Sequence, residues 1–161
     1  YGMDALAAGT LLIAQGIAAI ALSLAATWAL RRTGYRRPMW VGACAIVAGL
    51  GVLAVQAPEA IGPYRWLLGG AFLVGAGIGA VNPASRNAGL QLAPRSASTL
   101  AALRTLFLQL GTIATVAVAT AVLADAHDPG RAQAWVYAAQ ALLLLLALPL
   151  IHRVPEHRGA W

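Results

Sequence analysis

Residues 5–30 read ALAAGTLLIAQGIAAIALSLAATWAL, and Arg31-Arg32-Thr33-Gly34-Tyr35-Arg36-Arg37-Pro38 follows at once. The first of these stretches carries no ionisable side chain. It exceeds the ~20 residues an α-helix needs to cross the hydrocarbon core of a bilayer. Lipid offers backbone N–H and C=O groups no water to bond, so the segment must satisfy them internally, as a helix does. Four further stretches repeat the pattern, at 39–57, 66–92, 98–123 and 134–151. The sequence therefore predicts an all-α membrane protein of five transmembrane helices. Residues 1–152 form the helical region, and 153–161 form a cytoplasmic tail.

Composition excludes the alternatives. With 60% hydrophobic and 10% charged residues, the 161-residue chain has too little polar surface to coat a globule of its size. All eleven basic residues behind the +6 charge are arginines. They sit in short gaps between apolar stretches rather than on a basic face, which points to membrane orientation and not to nucleic acid. Cys44, the single cysteine, lies within an apolar stretch and reads as a packing residue, so no disulfide framework or thiolate metal site is expected. The chain opens at Tyr1 without an initiator methionine or a signal-peptide pattern, and is expected to be the interior of a longer protein.

Charge also sets an orientation. Arg31, Arg32, Arg36 and Arg37 fill the first gap, Arg95 the third, and Arg153 and Arg158 follow the last span; Arg86 and Arg104 face the third gap from the helix ends. Glu59, Asp125 and Asp128 fall in the second and fourth gaps. Cytoplasmic loops retain arginine, so the first and third gaps and the C-terminus are expected inside the cell membrane. Trp28, Tyr35, Trp40, Tyr64, Trp66, Trp135 and Tyr137 flank the gaps as headgroup-level belts would.

The five helices differ in polarity. The second and fifth are almost wholly apolar, whereas Gln15, Ser23, Asn82, Ser85, Thr105, Gln109 and Thr112 fall in the first, third and fourth. Polar groups in lipid are costly unless they face protein or water, so those three helices are expected to face an interior and the other two lipid. Thr105, Gln109 and Thr112 follow i, i+4, i+7, one stripe of a helix, as do Gly75, Gly79, Asn82 and Arg86. The stripes serve either close helix packing, with Gly75, Gly79 and Gly111 as the packing glycines, or a water-filled pathway through Gln15, Asn82 and Gln109. Arg104 is either a pathway residue or an anchor snorkelling to the headgroups. Gly75-Ala76-Gly77-Ile78-Gly79 lies inside an apolar helix, without the strand–turn–helix setting of a dinucleotide site. Pro83 should kink the inner end of that helix. The histidines all lie in loops or the tail, so no catalytic cluster, cofactor or metal site is expected.

The first gap resembles the inter-helix signature G-x-x-x-D-R-x-G-x-R-R of the major facilitator superfamily. Arg32, Gly34, Arg36 and Arg37 match it; Thr27 stands at the first glycine and Arg31 at the aspartate. The glycine run, Asn82-Pro83-Ala84, Asn87, Leu90, Pro94, and then Leu103-Arg104, Phe107 and Gln109-Leu110-Gly111 are similar to successive helices of the EmrB/QacA-type drug:proton antiporters. Order and spacing carry this resemblance over essentially the whole chain. It implies the C-terminal portion of a multidrug efflux transporter working by alternating access. Its partners would be membrane lipid, a missing N-terminal half, a lipophilic small molecule and protons. The arginine-rich gap would gate the inner side. No span holds an acid away from its ends, so the coupling carboxylates would lie in the missing half. A non-transporting accessory subunit or channel component is the alternative.

Overall fold

The computed structural model describes residues 5–92 and 94–155, and everything regular in them is helical. Five long helices follow in order: α1 Ala5–Thr33, α2 Arg36–Ala54, α3 Pro63–Leu92, α4 Ala97–Ala124 and α5 Pro129–Ala147. Short 3₁₀ turns, Pro94–Ser96 and Leu148–Arg153, precede α4 and follow α5. Each long helix is extended and apolar enough to cross a membrane. The tail from residue 156 onward, with Arg158 and His157, lies outside the described residues.

Local chemistry sets the ends. The first gap shrinks to Gly34 and Tyr35, because helical geometry runs through the flanking arginines. Gly34, at φ +76°, turns the chain where a side chain would be strained. Its N–H donates to the carbonyl of Leu30, closing α1. Pro63 opens α3, where a missing N–H costs nothing. Asp128 caps α5 by accepting from the Arg131 N–H, with Pro129 as first residue, so α5 starts earlier than the expected 134. It also ends earlier: Pro149 lacks an N–H, and the chain tightens into the 3₁₀ turn. Pro83 lies inside α3, which continues beyond it to Leu92.

The contacts define the bundle. Gly75 and Gly79 of α3 sit against the backbone of Gln15 and Ala19, a constant offset that makes α1 and α3 parallel. Gly42 meets Gly77 and Gly49 meets Gly70, an opposite progression that makes α2 and α3 antiparallel. α5 runs antiparallel to α2, with Trp40 beside His152 at one end and Asp128 near Gln56 at the other. α3 is thus the central helix. Its two sets of small residues, Gly75 and Gly79 toward α1 and Gly70 and Gly77 toward α2, let two backbones approach it at once.

Packing adds to what composition says of the helix faces, and it corrects one expectation, that for Cys44. α2, expected to face lipid, packs between α3 and α5 through Gly42, Ala43, Gly49 and Leu50 and keeps one exposed stripe, Arg37, Val41, Cys44 and Ala48. Glycine packing gives no polarity signal, so its apolar composition hid this. α4, expected to line an interior, has no buried residue within this chain and touches α3 and α5 only lightly. Cys44 is exposed rather than packed.

Candidate functional site

The helix order places the α1–α2 and α3–α4 junctions at one end of the bundle. Eight arginines lie toward that end (Arg31, Arg32, Arg36, Arg37, Arg86, Arg95, Arg104 and Arg153), with no acid among the described residues there. The opposite end carries Glu59, Asp125 and Asp128 beside Arg65 and Arg131.

At the arginine end a small cluster closes the fold. Leu30, Tyr35, Ala84 and Ala88 are buried together, with Met39 and Val154 packed against them. Tyr35 is the correction to the aromatic-belt reading: it is fully buried, and its hydroxyl donates to Gln91 Oε1 at 2.7 Å. Burial pushes its pKa above the ordinary value of 10.0. Arg36 Nε donates to the carbonyl of Val154 at 2.7 Å, fastening the chain after α5 to the first junction. Arg32 stacks 4.5 Å from the Trp28 ring centroid, while Arg37 is exposed. These four neighbouring residues therefore do different things: Gly34 turns, Arg36 ties, Arg32 stacks and Arg37 is exposed.

Farther into the bundle, two of the pathway candidates meet. Arg104 Nη2 donates to Asn82 Oδ1 at 2.9 Å and to Ser85 Oγ at 3.4 Å. Arg104 of α4 is thereby tied to an amide and a hydroxyl of α3. The shorter bond is charge-assisted, a class worth about 1.5–3 kcal/mol when well shielded and less at a half-exposed site such as this. Asn82 also lines a cavity of about 290 Å³ on the opposite flank of α3, against Ala19, Ile20 and Ser23 of α1. Ser85 and Arg104 line a second cleft, between α3 and α4, so the Asn82–Ser85–Arg104 cluster lies between two clefts.

The remaining candidates stand apart. Gln15 is half-buried in α1, where its backbone carbonyl receives the glycine face of α3. Gln109 is exposed on α4, and its stripe neighbours Thr105 and Thr112 donate back to the carbonyls of Ala101 and Leu108. Those threonines are satisfied by their own helix. Gly75 and Gly79 make close backbone approaches, whereas Gly111 has nothing within 4 Å of its would-be Cβ. Among the described residues no group of three or more His, Cys, Asp or Glu could hold a metal ion.

The sequence places Tyr35 in a headgroup belt and does not reveal its bond to Gln91 or the tie from Arg36 to Val154. An aromatic directly after a turn glycine, among arginines, was the available signal. It was masked because headgroup belts have the same composition. No family model, no curated protein and no solved structure matches this chain.

Proposed function

We propose that this multi-pass membrane protein is the C-terminal portion of a secondary transporter of the major facilitator type, in its drug-efflux, proton-antiport branch. The arginine end would face the cytoplasm of the cell membrane in which it sits. The observation that carries the reading is the Asn82–Ser85–Arg104 cluster, a charged side chain held by neutral partners between two helices and flanked by clefts. An ionisable group within a membrane-spanning helix that pairs across to a neighbouring helix suits a substrate or ion path. The signature residues Arg32, Gly34, Arg36 and Arg37 support it from the sequence side, and the gradient of arginines along the bundle supports the orientation. A lipophilic cargo would meet Asn82 from the cleft beside α1 and Arg104 from the cleft beside α4, with Gln15 and Gln109 elsewhere on α1 and α4. The proton-coupling acids would come from the other half.

The test is efflux of a lipophilic dye from cells expressing the complete reading frame that contains this chain. Arg104→Gln should lower efflux about tenfold or more at equal membrane abundance, the effect of losing one charge-assisted contact on the path. Unchanged efflux would return Arg104 to a structural role. Absence of efflux from the unmodified protein, under an imposed proton gradient, would favour an accessory subunit.

A further inference from the structure

On the other side of the same cluster, between the arginine-end halves of α3 and α4, lies an open cavity of about 300 Å³. Arg86 and Arg104 both line it, Ser85 and Thr105 add neutral polar groups, and Leu90 and Leu100 form apolar wall. None of its lining residues is acidic. Both bonds made by Arg104 use Nη2 and go to uncharged oxygens, so its guanidinium keeps its full charge without a counter-charge among the described residues. The other nitrogens of the fork remain for a second acceptor.

Depth makes this consequential. α4 has 28 residues, so it is about 42 Å long and overhangs a ~30 Å hydrocarbon core by about 6 Å at each end when placed centrally. Arg104 lies about 10 Å along that axis from Ala97, just inside the hydrocarbon boundary. A guanidinium at that level is partly desolvated and gains from a bound anion. Two arginines lining one cavity suit a phosphate or carboxylate, whose oxygens match the arginine fork. The leucine wall calls for a hydrocarbon body on the same molecule.

We propose that this α3–α4 cavity binds an amphiphilic anion, its phosphate or carboxylate head on Arg86 and Arg104 and its apolar body along Leu90 and Leu100. The inference rests on the membrane-spanning reading and not on transport, and binding is measured separately from efflux. Two sources share this chemistry, a bilayer phospholipid and a soluble amphiphile.

The experiment is native mass spectrometry of the purified protein from the complete reading frame that contains this chain, in dodecyl maltoside. It is given equal phosphatidylglycerol and phosphatidylcholine in one arm and dodecyl phosphate in another. The chain should retain one anionic adduct about tenfold over phosphatidylcholine. Selection of phosphatidylglycerol assigns the bilayer source; retention of dodecyl phosphate without such selection assigns a soluble amphiphile. Arg86→Gln removes an exposed side chain with little risk to folding, and should cut retention about fivefold. The double variant Arg86→Gln/Arg104→Gln should abolish the preference, and Arg65→Gln, at the far end of α3, should leave it intact. Equal retention of anionic and zwitterionic species by the unmodified chain, or full retention by Arg86→Gln, overturns the proposal.

Discussion

The two flanks of α3 are built differently. Toward α1 and α2 its middle offers Gly70, Gly75, Gly77 and Gly79, and three backbones come into direct contact. Toward α4 it offers Asn82 and Ser85 to a single arginine, and no residue of α4 is buried. Lipid supplies no hydrophobic force between helices, so association rests on close packing or on polar contacts. Close packing is short-ranged and intolerant of added atoms. A hydrogen bond from a long side chain tolerates small displacements of the helix that carries it. The three-helix unit is therefore the rigid part of the chain, and α4 is the helix held by a contact that can be exchanged for another.

The largest effect should come from filling the rigid side. A Cβ at Gly75 would strike the backbone of Gln15, and one at Gly77 the carbonyl of Gly42. Neither obstacle is a side chain that can swing away. Gly75→Ala and Gly77→Ala should each destabilise the protein by about 1–3 kcal/mol in thermal unfolding in detergent. Wild-type stability in both would show that the helices slide freely and would erase the contrast with α4.

A smaller effect is expected at the arginine-end cluster that joins the unit. Tyr35→Phe removes the bond to Gln91 and should cost about 1 kcal/mol. Because burial raises the folded-state pKa of Tyr35 above 10.0, its contribution is complete below that pH and is lost as pH climbs past it. The stability of the unmodified protein should therefore decline more steeply above pH 10 than that of Tyr35→Phe. Parallel curves would mean that the hydroxyl is not sequestered.

The least disturbance should come on the loose side. Gly111→Ala meets nothing within 4 Å and should leave stability unchanged, or raise it by up to about 1 kcal/mol through helix propensity. A loss as large as that of Gly75→Ala, measured in the complete protein, would show a partner packed on α4.

Five apolar runs were enough to read five helices, because continuous runs of about 20 apolar residues suit a spanning helix and not the short alternating strands of a barrel. Their ends were less legible. Asp128 and Pro129 start α5 before its apolar run does, and Pro149 ends it before the run is over. Within the site, Asn82 and Arg104 could be singled out as polar groups in apolar surroundings, but their meeting could not, since it depends on the relative height of two helices. The same holds for the glycines. Gly75 and Gly79 repeat at helical spacing and drew notice, whereas Gly42 and Gly49 are recognisable only once α3 stands opposite them. Tyr35 was misread because burial depends on what folds over it, here the end of a segment far along the chain.

That distance has a consequence for biosynthesis. The bond from Arg36 to Val154 spans 118 positions, so the first junction emerges long before the residue that fastens it. Chains assemble from the N-terminus as they are made, and contacts of large sequence separation close last. α1, α2 and α3 can settle against one another while the ribosome is still delivering α5. Until Val154 arrives, the pocket around Leu30 and Tyr35 stays open on one side, so a nascent chain halted within α5 would carry its earlier helices in place but lack this closure.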